Sequence, residues 1–496
     1  MPDKTNQNSI EESLDPQDWE AVRETGHRML DDMIDYLQTV RDRPPWRHAP
    51  ENVKAQFNQP VPQKPQPLDE IYQDFLENVL PYPSGNIHPR FWGWVLGTGT
   101  ITGSLAEMLA TTMNVGASGG LAYHSANYVE HQVIDWFKQI MGFPGSASGL
   151  LASGCSAANL IGLAVARNAK AGFDLHEHGL QAGAKRLVVY ASEQAHSSIH
   201  KAVELLGLGC GGLHIIPVNS EFQIDLDALQ AAIREDRQND ALPICIIGAA
   251  GTTNTGAVDD LEALADICLA EDIWLHVDGA FGAWAVIAPR SKDIVRGLDR
   301  ADSLAFDLHK WMYMPYEIAC VLVQNEQAHR DTFSYTPDYL AHGAGERGMT
   351  GLDIAWLHDY GFQLSRGFRA LKAWMLMREH GLEKFGRLVQ QNIDQAGYLA
   401  ELVRTAPELE LTAPVPLNVV CFRYIGKGIG ESGLDELNKH IEVELQERGI
   451  AVVSGTIVRG KYALHAAITN HRSVRADFDI LVKEVTRIGR EYSSQI

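Results

Sequence analysis

The stretch ADSLAFDLHKWM, residues 301–312, carries an apolar run of strand character that ends in Asp307, Leu308, His309 and Lys310. Open α/β sheets bind ligands beyond the C-terminal ends of their strands, so a lysine here faces a ligand crevice. Partial desolvation at that position is expected to lower its pKa toward the range of Schiff-base chemistry. Taken alone, a His-Lys pair is more often part of a solvated loop. The stretch before it, IWLHVDGAFGAW (273–284), ends a second apolar run in Asp278, followed by the small residues Gly279 and Ala280. A carboxylate there can pair with a protonated pyridine nitrogen, and small residues let a flat ring approach the backbone. The plainer reading of Asp278 is a helix N-cap. Only one strand-loop-strand step separates Asp278 from Lys310, so two adjacent strand ends can address opposite parts of one flat cofactor.

Outward from this pair, the runs RLVVYA (186–191), HIIPV (214–218), ICIIGAA (244–250) and IACVLVQ (318–324) alternate with helical stretches. They are apolar on both faces, which marks strands of a mostly parallel sheet covered by helices. Three further stretches bring polar groups to the same edge. GLLASGCSAANLIGLAVARNAK (149–170) opens a helix at Gly154, Cys155 and Ser156, where backbone N–H groups and a hydroxyl make an anion site or, more simply, a serine cap. In VVYASEQAHSSIHKA (188–202), His196 follows a strand and precedes a helix; in isolation it reads as a cap or surface residue. IIGAAGTTNTGAVDDL (246–261) brings Thr252 and Thr253 to another strand end.

The flanks differ. DPQDWEAVRETGHRMLDDMIDYLQTVRDR (15–43) has helical spacing, RPPWRHAPENVKAQFNQPVPQKPQP (43–67) is too rich in proline for helix or sheet to persist, and LDEIYQDFLENVLPY (68–82) resumes as helix. Such an arm has little core of its own and calls for another surface, such as a second subunit. After the long helix around RGFRALKAWMLMREHG come helix EKFGRLVQQNIDQAGYLAELVR, strands near NVVCFRY and ALHAAIT, and helix DFDILVKEVTRIGREY. The expected organisation is a dimerising helical arm over 1–88, a large α/β domain over 89–375 and a small α+β domain over 376–496. The glycine-rich run AHGAGERGMTG (341–351) marks a loop over roughly 342–360 that reads as mobile and closes over the site.

Composition narrows the partners. With 42 basic and 63 acidic residues among 496, the formal charge of −21 disfavours broad contact with nucleic acid or anionic membrane. No uninterrupted apolar stretch is long enough to span a bilayer, and the first thirty residues lack a signal-peptide layout. The six cysteines show no CxxC or metal spacing and suit reduced, buried thiols, so a cytoplasmic setting is expected and no metal is.

The order of these motifs resembles the group II pyridoxal-phosphate decarboxylases, most closely their aromatic-L-amino-acid branch. HPRFWGW, the block from AEMLATTMN to VIDW, YASEQAHSS, WLHVDGA and HKW carry the resemblance, which runs from about residue 15 to near the C-terminus. It implies the aspartate aminotransferase type I fold with a mostly parallel seven-stranded sheet, a homodimer, an amino-acid substrate and pyridoxal 5′-phosphate as cofactor. By the same resemblance Lys310 binds the cofactor as a Schiff base, Asp278 pairs with its ring nitrogen, His196 stacks on one ring face and Ala280 packs on the other. Thr253 lies beside the ring, and Gly154, Cys155, Ser156 and His309 hold the phosphate. The implied reaction is decarboxylation of an aromatic or related L-amino acid to the amine.

Three departures stand out. Asp307 replaces an asparagine, and an anion near a phosphate is repelled unless it turns aside or meets a cation. Leu357 falls where the family carries a loop tyrosine credited with protonating Cα, leaving Tyr360 or Tyr335 as candidate donors, Tyr360 being the one chosen. Loss of that tyrosine is associated with oxidative deamination, so an aldehyde synthase, or another carbon–carbon lyase, is the alternative activity. Gly116, Ala117 and Ser118 stand in place of an aromatic pocket wall, and Trp94 in place of a tyrosine, so the substrate does not follow from the family. A cofactor-bound scaffold without activity is the non-enzymatic alternative, disfavoured by the full set of Lys310, Asp278 and His196.

Overall fold

A computed structural model describes residues 12–117, 124–183, 185–335, 356–426 and 428–493. Ser118 and the expected mobile loop up to residue 355 lie outside the described residues.

Seven strands form the large sheet: β1 (Ser148–Ala152), β2 (Leu187–Ser192), β3 (Leu213–Ile216), β4 (Leu242–Ala249), β5 (Trp274–Asp278), β6 (Ser303–Asp307) and β7 (Ala319–Val323), in the order β1-β7-β6-β5-β4-β2-β3. The pairings from β6 through β5, β4 and β2 to β3 are parallel, whereas β7 runs antiparallel to both β6 and β1. Two reversals give β1 the direction of β6. The strand ends that lead to Lys310, Asp278, Thr253 and His196, together with the helix that follows β1, therefore share one edge of the sheet. The strands β1, β2, β6 and β7 are buried along their whole length, as expected of a sheet covered by helices on both faces.

Within the large sheet, β1 is the strand that reading by apolar runs passed over. Its sequence SGLLA is short and merges into the helix signal that follows, and it gains its strand character from pairing with β7. The proline-rich run also holds a surprise, a short helix Glu51–Gln56. Its six residues contain no proline; Pro50 stands just before the first turn, where a missing N–H costs nothing, and Pro60 comes after the end.

The C-terminal unit has its own antiparallel sheet, order β10-β11-β9-β8, built from β8 (Leu409–Leu411), β9 (Val419–Tyr424), β10 (Ser454–Val458) and β11 (Lys461–Ala467). Helices Glu431–Glu447 and Arg475–Ser493 pack on it around a separate apolar core. Trp92, which precedes the large sheet in the chain, belongs to this core and stacks on Phe478 at 4.8 Å. The long helix Ala370–Thr405 joins the two units and breaks at Gly381, whose φ of 69° favours glycine. In the arm, helices Trp19–Gln38 and Leu68–Asp74 are tied by the Tyr72 hydroxyl donating to Asp32 at 2.7 Å. Five of the six cysteines are buried; Cys210 is the exposed exception.

Candidate active site

β5 and β6 lie side by side, with Ala305 opposite Asp278, and the backbone bonds Gly279 N–H to Ala305 O and Asp307 N–H to Ala280 O carry the pairing past the strand ends. This fixes Asp278 and Lys310 on one rim. Both line one pocket, together with Gln194, His196, Thr252, Thr253 and Ala280 among others. Six of the residues singled out in the sequence, His196, Thr252, Thr253, Asp278, Ala280 and Lys310, thus meet at one cavity.

Each is held by its neighbours. His196 caps helix Ser197–Leu205: its Nδ1 accepts from the Ser198 N–H at 3.2 Å and lies 2.8 Å from the Ser198 hydroxyl. Cap and pocket wall are therefore one residue. Burial is the main force that lowers its pKa, against the pull of Asp278, so the ring is neutral at pH 7. Asp278 Oδ1 accepts from the Ala280 N–H at 3.2 Å and from the Cys155 thiol at 3.5 Å, while Oδ2 accepts from Asn159 Nδ2 at 3.0 Å. Burial pushes the Cys155 thiol well up, which keeps it a donor. Thr253 offers its carbonyl to His465 Nε2 at 2.8 Å, a tie from the small sheet to the pocket rim.

The other end of the pocket departs from expectation. Lys310 Nζ lies 2.9 Å from Asp307 Oδ2. Burial alone pulls the ammonium pKa down, but the charge of Asp307, helped by that of Asp278, more than reverses it, so the net shift is upward. The expected lowering by desolvation is thereby corrected: a buried carboxylate in contact outweighs burial.

Asp307 also accepts the Cys155 N–H at 2.7 Å, the first amide of helix Cys155–Lys170, and lies 3.7 Å from His309 Nε2. The anion at this helix start is thus the protein's own, and it meets a cation. Gly154 is the N-cap residue, without a side-chain cap bond, and Ser156 is exposed in the first turn. His309 is buried and shares its Nδ1 with the Ile318 backbone.

Two departures are placed differently. Leu357 is fully buried, and the buried Tyr360 turns its hydroxyl to the exposed Glu326 at 2.6 Å, so the structure does not bring Tyr360 to the pocket. Tyr335 is exposed, as is Trp94. Sequence reading missed Asn159, whose only signal was its place one turn past Cys155 on the same helix face.

The residues present suit pyridoxal phosphate: an amine and a carboxylate line one pocket at a sheet edge, with the start of helix Cys155–Lys170 beside Asp307 and Asp278. A lysine-bearing, pyridoxal-phosphate-dependent enzyme of the aspartate aminotransferase type I fold is the class that this arrangement defines. The family model for the pyridoxal-dependent decarboxylase conserved domain matches residues 50–425, and the chain belongs to that family. It is a pyridoxal-phosphate-dependent carboxy-lyase.

The chain is 32% identical over 476 residues to an aromatic-L-amino-acid decarboxylase of Bacillus atrophaeus, covering 96% of each protein. It is 27% identical to a phenylacetaldehyde synthase of Arabidopsis thaliana, over 95% of this chain and 97% of that one. A crystal structure of Oryza sativa TDC with PLP and tryptamine superposes with a TM-score of 0.88 at 25% identity, covering 97% of this chain and 100% of that one. Among the described residues no helix is long and apolar enough to cross a membrane.

Proposed function

We propose that the protein decarboxylates an aromatic or related L-amino acid to its amine, with Lys310, Asp278 and His196 as its catalytic residues. The observation that carries this reading is the meeting of Lys310, Asp278 and His196 at one pocket. The aromatic side chain is supported by the similarity to the Bacillus atrophaeus enzyme. When bound, pyridoxal phosphate supplies an electron sink for the breaking Cα–carboxylate bond. Lys310 would hold the cofactor through its amine. Asp278 would keep the ring nitrogen protonated, and His196, Ala280 and Thr253 would border the ring. Gly154, Cys155, Ser156 and His309 would hold the phosphate, beside Asp307, whose charge Lys310 meets.

A screen of purified protein against the common amino acids, scoring CO2, amine, aldehyde and peroxide, tests the reading. Amine with stoichiometric CO2 from an aromatic substrate is expected; CO2 from no amino acid would overturn it. The second reading, an aldehyde synthase, is favoured by Leu357 at the tyrosine position and by Tyr360 being engaged with Glu326. Aldehyde with peroxide in that screen selects it.

The same reading includes a cytoplasmic homodimer with arm 1–88, large domain 89–375 and small domain 376–496. Its support is the arm, where Trp19, Ile34, Phe57, Leu68 and Ile71 are exposed. Light scattering at assay concentration is expected to give twice the chain mass, and an active monomer refutes the dimer.

A further inference from the structure

Behind Asp278 the polar groups continue into the core. Asn159 Oδ1 lies 2.9 Å from His276 Nε2, His276 Nδ1 lies 2.8 Å from the Ser303 hydroxyl, and Trp274 Nε1 donates to that hydroxyl at 2.8 Å. Asn159, His276 and Ser303 are all 0% exposed, so each must find its partner within this set. A buried polar chain of this length is costly unless every member is satisfied.

Donor and acceptor chemistry leaves a single direction for the protons. Asp278 as a carboxylate only accepts, so the Asn159 amide must turn its NH2 toward it and its carbonyl toward His276. His276 must then carry its proton on Nε2, which makes Nδ1 an acceptor for the Ser303 O–H. Ser303 in turn accepts from the indole, which can only donate. Burial lowers the His276 pKa to about 4, so the ring stays neutral and the direction does not reverse near neutral pH. The second amide proton of Asn159 points at the Ser198 hydroxyl at 3.4 Å, the group that meets His196 Nδ1. One buried amide therefore stands between the carboxylate and the imidazole of the pocket.

We infer that Asn159 and His276 are positioning residues, which fix the Asp278 carboxylate through the one-way chain Trp274, Ser303, His276, Asn159, Asp278. All the groups that orient Asp278 from behind are neutral donors. They pin its oxygens without neutralising the charge that has to face a ring nitrogen. Gly162 makes room for this: a Cβ there would lie 2.6 Å from His276 Cε1, so the helix can lie this close over the imidazole only with glycine.

The inference rests on the reading of Asp278 as the ring-nitrogen partner, and one experiment separates the two. Protein is reconstituted with pyridoxal phosphate carrying 15N in the ring, and the ring-nitrogen chemical shift is measured alongside kcat and KM. Asp278→Asn should move the resonance from the protonated to the neutral range; if it stays in place, the reading of Asp278 fails. Given that movement, Asn159→Leu and His276→Leu are expected to shift the same resonance part of the way and to lower kcat about 10- to 100-fold with little change in KM, the usual range for groups that orient a site through its ligands. His276→Gln keeps an N–H where Nε2 stood and should restore the wild-type resonance.

An unmoved resonance in both leucine variants, with Asp278→Asn moved, overturns the inference. If the leucine variants do not fold, His276→Gln against His276→Asn decides, because the shorter amide cannot reach Asn159. Equal resonances in that pair overturn it too.

Discussion

Asp278 and Asp307 close adjacent strands at the same sheet edge, yet the protein treats the two carboxylates in opposite ways. Asp278 is surrounded by neutral donors: an amide side chain, a thiol and a backbone N–H. Asp307 faces the Lys310 ammonium and the start of a helix, both positive. One charge is oriented and left available; the other is consumed within the protein. Residue type and strand position are therefore insufficient to assign a role, because the role follows from what stands opposite.

The comparison breaks most visibly at Lys310. Lys310→Ala should abolish turnover and the visible absorbance of bound cofactor, and borohydride reduction of wild-type holoenzyme should label Lys310 alone. It also strands a carboxylate that is 2% exposed, at a cost on the order of 3–5 kcal/mol. The double variant Lys310→Ala with Asp307→Asn is then expected to recover most of that stability in thermal unfolding while remaining inactive. No recovery would mean that the Asp307 charge is not consumed by Lys310.

At the other end the pattern inverts. Asp278→Asn should keep the fold, since its neighbours are neutral, but lower kcat by about 10²- to 10³-fold, the usual cost of removing a preorganised electrostatic partner. Near-normal turnover with bound cofactor would place the ring nitrogen elsewhere.

How far this was legible in the sequence follows from the same contrast. Lys310, Asp278, His196, Ala280 and Thr253 stand at or just past strand ends, and strand ends can be read from apolar runs; all five meet at the pocket. Six strands of the large sheet were visible for the same reason. β1 was not, because a five-residue strand that pairs antiparallel with β7 owes its existence to a partner far away in sequence. Asn159 and Ser303 were invisible because their importance lies in partners, His276 and Asp278, that only the fold brings near. The Lys310 pKa was misjudged because burial was legible and the Asp307 contact was not.

A smaller effect sharpens the Lys310 end. With its pKa held above the ordinary value, Lys310 in cofactor-free protein stays an ammonium through neutral pH, so an amine-directed reagent should modify it only at strongly alkaline pH. Asp307→Asn removes the largest influence that raises the value and keeps the burial that lowers it. The onset of labelling, followed by peptide mass spectrometry, should move down by about 1–3 pH units. An unchanged onset would mean that Asp307 does not control the amine.

The smallest effect concerns a third carboxylate, Glu326, which is consumed by a phenol. The Tyr360 hydroxyl donates to it at 2.6 Å, and burial with that bond pushes the phenol pKa up, so the proton is held more firmly than in free tyrosine. The Tyr360 backbone carbonyl meets His329 Nε2 at 2.8 Å, and His329 reaches Ser148 at the start of β1, so Tyr360 braces the sheet flank instead of facing the pocket. Tyr360→Phe should therefore remove one hydrogen bond worth about 1 kcal/mol and lower the melting temperature slightly. The rate and the ratio of amine to aldehyde should stay at wild-type values. A fall in amine with a rise in aldehyde or peroxide would make Tyr360 the proton donor after all, and would require the segment Leu357–Tyr360 to leave its buried position during turnover.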